Sequence, residues 1–315
     1  MSQAVSKTLR VADLSEWEVE SALEGAGLPV ILGPFVCRLQ VDCPALVPVL
    51  HRLYANYELA QADSVFTFHP RLQTLQSWGP ERWRRVRFSV DGKVPHEDMP
   101  FAHALPTLEW GINLVIAMRA HWYLMLHAAV LEKNGFALVL PGTPGSGKTT
   151  LAAALSAAGW RLFSDEFGLV RGTDPTLVPV PRPMVLKNES IEVIRERVSD
   201  RFMGPSIAGT RKGTVAHFVP GKNDIARAAE VAPPRWVIFP TWSEGANCEL
   251  APVDPIEGFM GLSTNAFNYE LLGESAFKAL AGIVDRAAFY RLRYTNLDDA
   301  IDVLDELADE VATDV

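Results

Sequence analysis

The chain has 315 residues, 48% of them hydrophobic and 21% charged, the proportions of an ordinary globular protein with length enough for one large or two modest cores. Its net charge of −9 sits mostly at one end, because residues 298 to 315 carry eight acids and no lysine or arginine; the near-neutral remainder excludes a general attraction for nucleic acid or an anionic membrane. Cys37, Cys43 and Cys248 match neither a disulfide framework nor a zinc spacing, and no secretory leader or run of ~20 apolar residues is present, so a cytoplasmic protein is expected.

Residues 1 to about 25 are polar, with a helix expected near Leu14 to Leu23. Pro29 to Val41 has strand character broken at Gly33-Pro34, and Leu46 to Leu59 reads as a helix. Ser64 to His69 and Val86 to Val90 alternate as half-buried strands do. Together these predict a small α+β domain over residues 1–104, a candidate for binding substrate or partner. Within it Arg82, Trp83, Arg84, Arg85 and Arg87 form a basic-aromatic cluster, read as one wet face of a strand and not as a nucleic-acid site. Prolines 95, 100 and 106 mark a connection, after which Leu108, Ile112, Val115 and Ile116 recur at helical spacing. The second domain is expected over residues 105–315.

Its first elements are the apolar runs Leu124 to Leu131 and Phe136 to Leu140, separated by Glu132-Lys133-Asn134-Gly135. Asn-Gly between two such runs is a hairpin signal, because both central residues of a type I′ turn need positive φ. The second run enters Gly142-Thr143-Pro144-Gly145-Ser146-Gly147-Lys148-Thr149, a full match to G-x-x-x-x-G-K-[ST], with Thr150 next. Glycines let backbone N–H groups curl around an anion at the positive end of the following helix. Lys148 can reach the terminal phosphates, and the Thr149 hydroxyl can join the shell of a Mg²⁺. Leu151 to Ala158 are helix formers stopped at Gly159. Trp160 to Ser164 is a further strand ending on Asp165 and Glu166, acids that suit a metal ligand and a base acting on a hydroxyl. His127, on the strand before the hairpin, is read either as structural or as part of the site.

Beyond the acids, Phe167 to Val170 extends the strand and Arg171 to Pro175 turns. Arg182 and Lys187 are close enough in sequence to touch phosphate or acceptor, or else are solvated charges before a helix over Glu189 to Val198. Glycines 204, 209, 213 and 221 bracket Arg211 and Lys212, the composition of a phosphate lid. Arg235 to Pro240 and Tyr290 to Tyr294 read as strands, and Ser275 to Val284 as a helix. A final helix from Asn296 turns Ile301, Leu304, Ala308 and Val311 inward.

Leu126-His127-Ala128, the hairpin, Gly142 to Thr149, Gly159-Trp160-Arg161-Leu162 and Asp165-Glu166 form a pattern that resembles the HPr kinase/phosphorylase group, whose kinase domain shares its nucleotide-binding core with phosphoenolpyruvate carboxykinases. The whole chain more closely resembles the looser set called HprK-related kinases. The resemblance implies an α/β fold: a P-loop kinase domain of HPr kinase/PEP carboxykinase type, with an antiparallel hairpin leading into the P-loop, preceded by a smaller α+β domain. It also implies ATP and Mg²⁺ as cofactors, His127 as the active-site histidine, Lys148 on phosphate, and Thr149 as metal ligand; Asp165 is read from its own place at the strand end as the second metal ligand. Glu166 falls on the carboxylate that activates the acceptor hydroxyl. That position is normally aspartate, so either Asp165 or Glu166 is the base. The family's magnesium-binding glutamate is not found, Pro181 to Glu189 standing in its region. The loop for the reverse reaction is unmatched near Ser263-Thr264-Asn265, which argues against phosphorylase activity and against HPr as acceptor.

The expected function is an ATP- and Mg²⁺-dependent kinase acting on a serine-type hydroxyl of a protein, peptide or small molecule, with no nucleic-acid or membrane partner and self-association left open. The alternatives are a metabolite kinase of shikimate-kinase type, which would lack the antiparallel partner strand, and a regulatory subunit that binds ATP without transferring phosphate.

Overall fold

In a computed structural model, residues 8–61, 63–76, 84–143, 145–172, 174–198 and 201–312 are described. The chain opens with α1 (Glu16–Glu24), β1 (Leu28–Leu32), β2 (Phe35–Asp42), α2 (Val47–Leu53), β3 (Pro70–Leu75), β4 (Arg85–Val90), β5 (Met99–Pro100) and α3 (Ala104–Arg119). It continues with β6 (Tyr123–Lys133), β7 (Phe136–Pro141), α4 (Lys148–Ala157), β8 (Arg161–Ser164), β9 (Phe167–Arg171), β10 (Leu177–Val178), β11 (Met184–Lys187), α5 (Glu189–Arg197), β12 (Ile207–Thr210) and β13 (Gly213–Phe218). α6 (Lys222–Ala226), β14 (Pro234–Trp242), β15 (Glu249–Pro252), α7 (Pro255–Thr264), α8 (Tyr269–Leu272), α9 (Glu274–Val284), β16 (Ala288–Tyr294) and α10 (Leu297–Ala312) complete it. The fold is mixed α/β. No helix among the described residues is long and apolar enough to cross a membrane.

Contacts divide the chain into two compact units, one running to Ile116 and including Phe202–Val219, the other made of Ala117–Arg201 and the residues from Pro220 onward. In the first unit, five strands form a sheet in the order β1-β2-β3-β4-β5. Strict alternation sends Leu28, Val30 and Leu32 of β1 and Phe35, Cys37, Leu39 and Val41 of β2 into the core. α1 starts at a capping box in which Ser15 and Glu18 satisfy each other's backbone N–H groups.

Two expectations in this unit are corrected. The helix read over Leu46 to Leu59 ends at Leu53, because Ala55 and Tyr57 offer their carbonyls to Ala12 and Val11 in place of continuing the helical ladder. The strand read over Ser64 to His69 lies instead at Pro70–Leu75; Thr67 and Phe68 both donate to Val36 O, and Phe68 makes only a single parallel bridge, to Cys37, before β3 begins. Arg82 and Trp83 lie outside the described residues. Of their cluster, Arg84 rests over the Phe101 ring at 4.2 Å and Arg87 pairs with Asp98 at 2.7 Å. The glycine-bracketed segment is a hairpin, β12 antiparallel to β13, with Arg211 and Lys212 in its turn. His103 Nε2 lies 3.2 Å from Ala208 O, and the Arg52 guanidinium sits 3.8 Å over Phe202.

The second unit is built on one sheet, in the order β10-β9-β6-β7-β14-β16-β15, with β8 also paired to β6. β6 and β7 form an antiparallel hairpin whose turn residues Asn134 and Gly135 have φ of 55° and 86°, the left-handed conformation that an Asn-Gly turn supplies. β7, β14 and β16 are parallel neighbours. Leu124, Leu126, Ala128 and Val130 of β6 and Ala137 and Val139 of β7 pack in one buried cluster with Leu262 of α7 and Ala276, Ala279, Leu280 and Ile283 of α9. The carboxylate of Asp305 on α10 accepts from Lys133 Nζ and Trp160 Nε1, both at 2.6 Å. Ala300, Leu304 and Ala308 of that helix are fully buried, while Ile301 is only partly so.

Candidate phosphate-binding site

β7 delivers the chain to Pro141, and the loop that follows is closed by α4. Gly147 caps α4 with φ of 88°, and among the described residues no side chain caps the helix. The ends of β14 and β16, on the side of β7 away from β6, hold this backbone. Trp242 N–H donates to Ser146 O at 3.1 Å, and Tyr294 Oη donates to Gly147 O at 3.4 Å. A Cβ on Gly147 would come within 2.6 Å of Tyr294 Oη and 3.0 Å of Trp242 Cβ, so the close approach requires glycine. Pro144 lies outside the described residues; Gly142, Thr143, Gly145 and Ser146 form the rest of the loop, and Thr149 and Thr150 lie, partly exposed, on the first turn of α4.

Lys148 is only 7% exposed. Its Nζ and Ser146 Oγ are buried with no hydrogen-bond partner among the described residues. Burial pulls the Lys148 pKa down, opposed by the nearby charges of Glu166 and Asp165, while Lys187 adds to the downward shift.

The two acids reach this loop through the register of β6. On one edge of β6, Ala128 faces Pro141 at the end of β7; on the other, His127 faces Phe167 and Val130 faces Ser164. Asp165 and Glu166 therefore occupy the break between β8 and β9, level with the start of the glycine-rich loop. Ser164 Oγ pins that break by accepting the N–H groups of Glu166 at 3.3 Å and Phe167 at 2.9 Å. Asp165 is 8% exposed, and burial followed by the neighbouring Glu166 charge pushes its carboxyl up to about 7. Lys148, Arg182 and the Val185 N–H pull the other way. Glu166 is partly exposed, with Oε1 3.8 Å from His127 Nε2. The His127 backbone N–H donates to Asn265 O at 2.6 Å, and its ring lies 5.3 Å from that of Phe267.

The second unit thus brings together His127, Lys148, Asp165 and Glu166, with Arg182 buried close enough to act on Asp165 and Lys187 on Lys148. Arg211 and Lys212 belong to the first unit. There Lys212 Nζ lies 5.2 Å from the Trp110 ring centroid, and Arg211 lines a cavity of about 190 Å³ with Met99, Trp110 and Leu114. Neither Trp242 nor Tyr294 carries a site signal in the sequence, since each meets the loop only through strand pairing across the sheet, and Asn265 entered only as part of a loop that matches no expected motif.

The donor set suits a polyphosphate with its cation: a buried ammonium lacking an acceptor among the described residues, a glycine whose Cβ position is filled by neighbours, and a hydroxyl and a carboxyl close by. Among the described residues no group of three or more His, Cys, Asp or Glu could hold a metal unaided. Mg²⁺ shared between phosphate oxygens, one hydroxyl and one carboxylate does not require such a group. No protein-family model matches the chain, and no curated protein matches it.

Proposed function

We propose that the second unit is an ATP- and Mg²⁺-dependent kinase of HPr kinase type, transferring the γ-phosphoryl group to a serine-type hydroxyl on a protein, peptide or small molecule. The observation that carries this reading is the buried Lys148 Nζ, which has no hydrogen-bond partner among the described residues. A buried ammonium without an acceptor is unfavourable, and phosphate oxygens are the acceptors that a loop of inward backbone N–H groups also prefers. Thr149 and Asp165 are the oxygen donors that would hold the cation, which when bound neutralises charge on the phosphates.

Burial separates the roles of the two acids. Asp165, enclosed and flanked by Lys148 and Arg182, suits the metal. Glu166, partly exposed and beside His127 Nε2, can accept the proton of an incoming hydroxyl at its Oε atoms. His127 orients that carboxylate. The antiparallel β6 beside β7 speaks against a shikimate-kinase arrangement, which has no such partner strand. Incubating the protein with γ-labelled ATP, Mg²⁺ and a panel of hydroxyl acceptors tests the reading: a kinase labels an acceptor, whereas an ATP sensor labels nothing. Glu166→Gln should bind ATP as the wild type does and lose at least ~10²-fold in transfer; undiminished turnover would remove Glu166 from the role.

A further inference from the structure

The phosphate loop stands between two sets of strand ends. On one side are β6, β8 and β9 with the acids; on the other are β14 and β16, whose last residues, Trp242 and Tyr294, face each other in register. A polyphosphate seated on residues 142–149 with its terminal phosphorus toward Asp165 and Glu166 would send its other end toward β14 and β16.

Trp242 stands there with 49% of its surface exposed. An isolated exposed aromatic needs no explanation, but this one is built into the loop. Its N–H donates to Ser146 O, and its Cβ stands 3.0 Å from where a Cβ on Gly147 would lie. Its indole Nε1 donates to Thr295 O at 3.1 Å, which fixes the ring by its polar edge. The turn beyond is braced in the same way, by Ser243 N–H to Tyr294 O at 2.9 Å and Ala246 N–H to Thr295 Oγ1 at 2.8 Å. A large π-surface is therefore held rigid, half in solvent, against the phosphate loop on the side away from the acids.

From this we infer that Trp242 is the stacking platform for the base of a purine nucleotide whose phosphates lie on the loop, an inference that rests on the kinase reading above. A bare polyphosphate donor would make no use of such a surface. A purine offers the larger π-face, and stacking of one base on an aromatic side chain is worth about tenfold to a hundredfold in affinity.

Titration calorimetry of the full chain in Mg²⁺, with ATP, CTP and inorganic tripolyphosphate as probes, separates the two readings. The expected result is a wild type that binds tripolyphosphate, binds ATP at least ~10-fold more tightly, and places CTP between them. Trp242→Leu should bring ATP down to the tripolyphosphate level without altering tripolyphosphate, and Trp242→Phe should restore most of the preference. A wild type that binds tripolyphosphate and ATP equally, or a Trp242→Leu protein that keeps the preference, overturns the stacking role and leaves the phosphate loop standing. Equal loss of both ligands in Trp242→Leu and Trp242→Phe also overturns it, making the residue a brace for Ser146 and Gly147. A wild type that binds neither ligand overturns the kinase reading together with this one.

Discussion

Asp165 and Lys148 each give up stability to the site they form. The carboxyl of Asp165 is pushed up to about 7 from an ordinary value of 3.8. A folded-state pKa raised above the unfolded one stabilises the fold fully below the unfolded value, and that contribution is lost as pH rises through the folded one. The relevant window is therefore pH 4 to 7, and in the ligand-free protein above it Asp165 is a liability on the order of 2–4 kcal/mol. Asp165→Asn should accordingly melt several degrees above the wild type at pH 8, the gap closing toward pH 4, while phosphoryl transfer is lost; calorimetric melts across that range measure it. Lys148→Met, which replaces a buried ammonium by a chain of similar length, should melt no lower than the wild type and no longer be stabilised by MgATP. Stability kept or gained on removing the charge, with function lost, marks a group kept for its chemistry and not for the fold.

At the scale of elements, the break at Asp165-Glu166 depends on β6 staying in register with β7 on one edge and with β8 and β9 on the other. The β6–β7 hairpin was legible in the sequence because its cause is local: Asn134 and Gly135 accept positive φ where most residues resist it. The tie between β6 and β8 was not. Arg161 and Glu132, both over nine-tenths buried, form an ion pair between the two strands, and Arg161 Nη1 also donates to the carbonyls of Arg227 and Glu230. Removing one partner leaves the other charge buried, so Glu132→Ala should cost about 3–5 kcal/mol by denaturant titration. Since Arg161 lies on the strand that ends at the acids, transfer should fall as well. Arg161 and Glu132 both stand in the sequence pattern, but they are 29 positions apart and no spacing rule pairs them. The misread stretches Leu46 to Leu59 and Ser64 to His69 share that cause, because hydrogen bonds to Val11, Ala12 and Val36 outweighed their own periodicity.

For the molecule as a whole, the first unit reclaims Phe202–Val219 after the chain has already built much of the second. Val215, Ala216 and Phe218 are fully buried, so a fragment ending at Ile116 should fail to fold on its own, with intrinsic fluorescence and hydrogen exchange reporting the loss. MgATP at a hundred times its dissociation constant should add about 2.7 kcal/mol to the second unit and raise its melting temperature by a few degrees, a shift that Lys148→Met abolishes. The sequence alone determined the glycine-rich loop, the helix behind it, the hairpin before it and the paired acids after it, because turn chemistry and helix propensity act over a few residues. Only the tertiary structure decided that β14 and β16 hold the loop through Trp242 and Tyr294, that Asp165 is enclosed while Glu166 meets His127, and that Arg211 and Lys212 sit in the first unit. Those outcomes depend on which strands pair and which side chains lose contact with water, and these are energies of the closed sheet and its core that no local spacing encodes.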